Sequence, residues 1–413
     1  MRLGTPQFVG ERLREAREVR GLTQVALGEL LGVSTQAISK YEQGIASPHP
    51  NIMDKIPQTL NFPNQFFFSR FVHEEETLFW RSMSATTVMA RRRANHKFTW
   101  LQAISDYLQE FIEFPPVNFP SGIFPDDPIK ITPTMIETAA SALRKHWGLK
   151  DRPISNVTYL LENNGAIATR IHLDADTLDA FSCWRKSQQR PYFVLGADKN
   201  VAARSRLDAA HELGHIILHR HIDQKALKNT STFKYIENQA FRFAGAFLLP
   251  EESFTNDFVS VNLNELTSLK MKWNVSIAAM IMRASDLGII SDEQKDRLWR
   301  NYSRQGFKKK EPLDNDIEPE KPFLLKKAIQ MLIEENRQDR FQICLSLPFG
   351  QSAIEEISGL PPGYFGMHQI GSKILRFKNS SIEEYDEERD QDEDTGINSL
   401  IESKIIPFNR KRG

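Results

Sequence analysis

Cysteine is almost absent from this 413-residue chain: Cys183 and Cys344 stand far apart and in no metal-type spacing. Neither a disulfide framework nor a thiolate-held zinc is expected, and a reducing compartment fits. Net charge is absent too. Fifty-three Lys and Arg balance 53 Asp and Glu, which argues against a basic wrap around nucleic acid along the whole chain and leaves local patches open. No apolar run approaches the roughly 20 residues that span a bilayer, and Met1 to Gly10 lacks the apolar core of a leader segment. The expectation is a cytoplasmic protein with no membrane partner. What is present is ordinary: 40% hydrophobic and 26% charged residues, enough to build cores and unlike a disordered, collagenous or coiled-coil chain. The length suits two or three domains.

Organisation changes along the chain. Residues 1–70 alternate short helical patterns with glycine breaks, and they carry 8 Lys and Arg against 6 Asp and Glu. Residues 71–133 read as a connecting segment, with the triplet Arg91, Arg92, Arg93 taken as a solvated face and a proline-rich linker from Phe114 to Pro133. From Thr134 to Pro322 the pattern is α/β. Three β-branched or aromatic segments, Ala166 to Leu173, Leu178 to Trp184 and Pro191 to Leu195, precede long helical patterns from Val201 to about His221 and from Tyr235 to Leu249. Residues 323–380 suit a small helical subdomain. Residues 381–413 are acidic, with nine acids and one Arg389 between Glu383 and Asp394, a composition expected to stay disordered. The tail hides a mildly basic body: outside residues 383–413 there are 48 Lys and Arg against 43 Asp and Glu.

Between Leu22 and Gly44 the chain reads as two short helices joined by a tight turn. Thr23 suits the cap of the first, with Leu27 and Leu30 facing inward and Gly28 letting the second helix cross closely. Gly32 tolerates the positive φ of the turn, and Ser34 suits the cap of the second helix. There Ala37, Ile38 and Tyr41 share one face, leaving Thr35, Gln36, Ser39 and Lys40 on the other. Such a face suits major-groove readout, since Gln pairs with adenine edges and Lys with guanine or phosphate. A plain solvated helix is the alternative for that face alone. The positions Thr23-Gln24, Gly32-Val33-Ser34, Gln36, Ile38-Ser39, Tyr41-Glu42 and Gly44 together resemble the phage-repressor-like, or XRE-family, helix-turn-helix over about Phe8 to Phe62. The resemblance implies an all-α five-helix domain that binds a double-stranded DNA operator as a homodimer. It places Gln24 at the DNA backbone and Thr35, Gln36, Ser39 and Lys40 toward the groove.

The segment His211-Glu212-Leu213-Gly214-His215 sits inside a helical pattern. Residues four apart lie within about 40° of each other on a helix, so His211 and His215 present both imidazoles on one face. Two neutral imidazoles there can chelate one cation, and zinc suits them because it accepts His and carboxylate ligands and keeps a position open for water. Glu212 projects nearby, placed to take a proton. The third ligand is sought in the next helix, where Glu237 begins the buried stripe Ala240, Phe243, Ala244, Phe247. Its alternative is an exposed acid at a helix N-terminus. His219 and His221 read as neighbours of the site or surface groups rather than ligands.

Further quotations widen the pattern: Leu143-Arg-Lys-His-Trp-Gly-Leu149, Leu160-Leu-Glu-Asn-Asn-Gly-Ala166, Glu237-Asn-Gln-Ala240, Trp273-Asn-Val-Ser276 and Lys310-Glu311-Pro312. With the His-Glu-Leu-Gly-His core they resemble the ImmA/IrrE metallopeptidases over roughly Thr134 to Pro322. The resemblance implies a zincin-like α/β domain with a small, mostly antiparallel sheet. It makes His211, His215 and Glu237 ligands of Zn2+, with Glu212 as general base. Phe241 departs from the family, which usually has asparagine there. Members are implicated in cleaving helix-turn-helix repressors, so the expected partners are operator DNA and a repressor-type protein substrate. The alternative is a non-catalytic regulator that uses the zincin fold as a sensor or dimerisation domain.

Overall fold

The computed structural model describes residues 4–70, 78–80, 87–122, 124–175, 178–199, 201–222 and 229–366. The acidic tail expected over residues 381–413 lies outside them. Five helices open the chain: α1 (Gly10–Val19), α2 (Gln24–Leu31), α3 (Thr35–Glu42), α4 (Pro50–Met53) and α5 (Ile56–Leu60). The turn chemistry acts as read. Thr23 Oγ accepts the Ala26 N–H at 3.1 Å, Ser34 Oγ accepts that of Ala37 at 3.2 Å, and Gly32 ends α2 at φ 70°. A methyl added at Gly28 would stand 2.8 Å from the Val33 carbonyl oxygen, so the close crossing requires glycine. Leu30 corrects the expected inner face. It is 58% exposed, while Leu27 and Leu31, one full turn apart, fill the core. Beneath the turn, Arg17 donates to both oxygens of buried Glu42 at 2.5 and 3.0 Å.

Residues 88–109, read from sequence as connection, form a 22-residue helix, α6 (Val88–Gln109), preceded by a short strand, β1 (Leu78–Trp80). Thr87 caps α6, and the helix is buried on two sides at once. Toward the amino-terminal helices, Trp100 donates its indole N–H to Glu15 at 2.6 Å and meets the Phe62 ring edge-on at 5.8 Å. Toward the rest of the chain, Phe98 packs on Phe181 and Tyr192 with ring centroids 5.9 Å apart. The arginine triplet is only partly the solvated face expected: Arg92 donates to Glu18 and Arg93 to Asp174, both at 2.9 Å. One apolar core therefore runs from Leu13, Leu27 and Ile38 through Phe98 and Leu101 to Ile167, Tyr192 and Ile354.

Beyond the proline-rich stretch come α7 (Pro133–His146), α8 (Val157–Asn163) and strands β2 (Ile167–Ile171), β3 (Ala180–Arg185) and β4 (Arg190–Gly196). The sheet order is β1-β3-β4-β2, parallel between β2 and β4 and antiparallel elsewhere. Alternation along the strands buries both faces. Phe181, Cys183, Tyr192 and Val194 join the core beneath α6, and Ala180, Phe193 and Leu195 join a second core. That second core holds α9 (Ala202–Leu218) and α10 (Thr230–Leu248), followed by α11 (Glu251–Asp257), α12 (Leu263–Trp273), α13 (Ile277–Asp286) and α14 (Asp292–Arg304). Helix α9 lies against β3 and β4, and α10 crosses α9 and packs on α7.

The quoted motifs outside the histidines turn out to be architectural. Arg144 donates to the carbonyls of Phe247, Lys150 and Arg152, and burial pulls its pKa down to about 10. Glu311 accepts from Lys270 at 2.7 Å, Tyr302 at 3.0 Å and the Ile277 amide at 2.8 Å, pinning α12 to the start of α13. Among the described residues three more helices follow, α15 (Leu324–Glu334), α16 (Arg340–Ser346) and α17 (Gln351–Ser358). Glu162 accepts the amides of Phe323 and Leu324 at the start of α15, while burial pushes its carboxyl up to about 7. Thr169 on β2 donates to the Ile357 carbonyl at 2.6 Å. Among the described residues no helix is long and apolar enough to cross a membrane.

Candidate metal centre

The helix crossing builds the site. Gly214, between the two histidines, lets α10 approach until an added methyl would stand 3.2 Å from Ala240 Cα. Helix α10 begins five residues earlier than the sequence pattern indicated, at Thr230, so Glu237 lies in its interior and its side chain is 13% exposed. The reading of Glu237 as an exposed helix-end acid is thereby set aside. Its Oε2 stands 3.5 Å from His211 Nε2 and its Oε1 3.3 Å from His215 Nε2, and those two ring nitrogens are 3.0 Å apart. Among the described residues these three form the group whose donor atoms all lie within 4.8 Å of one another. Ligands 2.0–2.1 Å from a tetrahedral zinc are separated by roughly 3.3 Å. The observed separations bracket that value, and the set of two imidazoles and one carboxylate is chemically a zinc set.

Behind these three side chains runs a chain that decides which nitrogen of His215 faces forward. Gln239 Nε2 donates to the carbonyls of Pro128 and Ile131 at 2.7 and 3.1 Å, so its Oε1 is the acceptor for His219 Nε2 at 3.0 Å. His219 is fully buried, and that burial holds its pKa well below the ordinary value, so the ring is neutral. With its proton on Nε2, His219 Nδ1 accepts from His215 Nδ1, 3.1 Å away. The Nε2 lone pair of His215 is then the one directed at Glu237 and His211. Sequence placed His219 near the site without a role; the missing signal was Gln239, two positions after Glu237 on the crossing helix. His221, by contrast, lies at the surface, 3.1 Å from the Pro125 carbonyl.

Glu212 is completely buried, and Ser182 on β3 donates to its Oε2 at 2.6 Å. Phe241, the departure noted in the sequence, lays its ring over His211 with centroids 4.3 Å apart. The same ring forms one wall of a cleft of about 840 Å³ whose lining includes Tyr235, Leu207, Met282 and Trp299. Of the cationic groups near the histidines, Arg206 pairs with Glu320 and donates to Ile154 and Ser155 carbonyls, and Arg204 pairs with Asp179 at 3.1 Å. Tyr235 is half-exposed on the cleft wall.

In the amino-terminal domain, Gln36 and Lys40 are exposed on α3 with Thr35 and Ser39 half-buried beside them. Ser39 Oγ accepts from Gln43 at 3.0 Å. Gln24 opens α2, and its amide donates to Glu42 Oε2 at 2.7 Å.

Comparison with known proteins agrees with these two regions. Residues 13–63, from within α1 to just past α5, match the helix-turn-helix family model. Residues 167–285, from β2 into α13, match the model described as the IrrE N-terminal-like domain. Uncharacterized HTH-type transcriptional regulators of Sinorhizobium medicae and Rhizobium meliloti are each 43% identical over 60 residues, which is 14% of this chain and 43% of theirs. Another, of Sinorhizobium fredii, is 30% identical over 71 residues, 17% of this chain and 50% of its own. The matched stretches span half or less of those relatives' lengths. This chain thus joins an XRE-type helix-turn-helix domain at residues 13–63 to a domain of the ImmA/IrrE metallopeptidase type at residues 167–285.

Proposed function

We propose that this protein is a DNA-binding transcriptional regulator whose second domain is a zinc-dependent endopeptidase acting on a repressor-type helix-turn-helix protein. The observation that carries the reading is the convergence of His211, His215 and Glu237 on one small space, beside a buried Glu212. Zinc held by those three residues supplies the charge that acidifies a water and polarises a peptide carbonyl. Glu212 takes the proton of the attacking water and returns it to the departing amide nitrogen. Ser182 holds Glu212 Oε2, which fixes the carboxylate for that exchange. With Arg204 and Arg206 committed to acids, Tyr235 is the donor for the developing oxyanion. At the other domain, Gln36 and Lys40 read the groove of an operator with Thr35 and Ser39 beside them. Gln24 meets the backbone through the amide hydrogen not given to Glu42. Two copies bind together, since the weak charge of residues 1–70 leaves little non-specific attraction to phosphate.

A second reading, a regulator that uses the zincin fold as a sensor or dimerisation domain without cleavage, is favoured by the core shared between the first helices and the sheet. The two part in one experiment. The zinc-loaded chain is incubated with helix-turn-helix repressors, and Glu212→Gln is expected to lower cleavage by about 10²–10⁴ while zinc content is retained. Repressors left intact under every condition overturn the peptidase reading and leave the second. Zinc content well below one per chain after reconstitution overturns the ligand set.

A further inference from the structure

We propose that the cavity where α1, α6 and the α16–α17 connection meet is a binding site for a small uncharged molecule that carries an amide group. None of its lining residues belongs to the metal centre or to the cleft beside it, so the proposal stands on its own observations.

The cavity encloses about 540 Å³, room for a molecule of metabolite size. One face of α6 runs along it. Thr99, Ala103, Asp106 and Glu110 follow the three- and four-residue spacing of a single helix stripe, and Ala103, the smallest of them, leaves the middle of the row open. The connection after α16 adds Leu347, Pro348 and Phe349, with Phe349 stacked on Trp100 at 5.4 Å. Helix α1 contributes Arg12 and strand β3 contributes Arg185. The cavity thus sits where the DNA-binding helices join the rest of the chain.

The choice of ligand follows from which wall groups are engaged and which are not. Gln102 and Tyr107 flank the α6 stripe on either side and are buried, yet neither Gln102 Nε2 nor the Tyr107 hydroxyl has a hydrogen-bond partner. Ser346 lies near that hydroxyl without reaching bonding geometry. Burial pushes the Tyr107 pKa up, so the hydroxyl keeps its proton and is a donor. Buried donors left unpaired are costly and rare in folded proteins, and here two line one cavity. The charged groups differ. Arg185 donates to both oxygens of Asp106, and Arg12 donates to Glu15 and to the Arg70 carbonyl. An anion entering this space meets Asp106 and Glu110, and a cation meets Arg12 and Arg185. An uncharged molecule avoids both repulsions. Two donors call for oxygen acceptors, and the Gln102 carboxamide, with an N–H and a C=O side by side, pairs completely with another amide. The rings of Trp100, Tyr107 and Phe349 suit a flat body attached to it.

The experiment titrates the full chain with three ring compounds of similar shape, benzamide, benzoate and benzylamine, and follows binding by ligand-observed NMR. Benzamide is expected to bind at least about tenfold more tightly than either charged analogue. Gln102→Leu keeps the side-chain bulk and removes the amide, and should weaken benzamide binding at least about tenfold; since Nε2 has no partner within the chain, the fold loses no hydrogen bond there. A second variant, Ala103→Phe, fills the middle of the row and should abolish benzamide binding, and it decides if the leucine variant does not fold. A charged analogue that binds as tightly as benzamide, no binding by any of the three, or benzamide binding unchanged in a folded variant overturns the proposal.

Discussion

The two functional regions treat buried carboxylates in opposite ways. Glu42, under the helix-turn-helix, is enclosed by donors: Arg17 takes both oxygens and Gln24 adds a third contact. Glu237 faces two imidazole nitrogens 3.3 and 3.5 Å away, and the chain through Gln239 and His219 turns the His215 lone pair toward it rather than a proton. In the first region the charge is consumed by its neighbours, so it fixes a shape and the exposed Gln36 and Lys40 of α3 stand outside it. In the second, acceptors converge on one another, an arrangement that a fold tolerates where a cation joins them. Direction of the partners, rather than burial, separates a structural acid from a ligand.

The contrast can be broken in order of effect. Glu42→Ala strands Arg17 in the interior and is expected to cost about 3–5 kcal/mol of stability; urea denaturation of the variant measures it, and a loss under about 1 kcal/mol would mean the charge is not consumed as described. Glu237→Ala should behave in reverse. In metal-free protein it removes one of several converging acceptors and changes stability little, whereas zinc affinity, measured by chelator competition, falls by more than about a hundredfold, beyond what an outer partner contributes. His219→Ala keeps all three ligands and loses only the tautomer control, so zinc affinity should drop by about 10- to 100-fold. Unchanged affinity there would show that His215 needs no such control. The smallest effect belongs to the outer face of α3: Lys40→Ala should weaken operator binding across sequences alike and lower the salt slope by about one, read from binding isotherms at several salt concentrations.

Legibility followed the range of each interaction. Thr23, Gly32 and Ser34 act within three residues of themselves, and the sequence located them to the position. The histidine pair is equally local, and Glu237 was reachable because an apolar stripe begins at it. Leu30 misled because Leu31 adjoins it and only the packing partner decides which of the two joins Leu27 on the inner face. The chain from Pro128 through Gln239 to His219 was illegible, since it needs a loop, a crossing helix and the end of α9 to meet. Ser182 was hidden for the same reason, being thirty residues from Glu212 and on a strand. Helix α6 was obscured by its own composition: burial on two sides leaves no clean polar face for periodicity to detect.

That helix has a geometric corollary. Trp100 touches Phe62 and Glu15 on one side and stacks on Phe349 at 5.4 Å on the other, within a core continuous from α1 to α17. The reading head is thus carried on a fixed mount, the core it shares with α6. Two copies joined through any other surface would hold their α3 helices at one separation and one phase along the duplex. An operator lengthened by about five base pairs turns its second half-site to the opposite side of the helix, and such a mount has no slack with which to follow it.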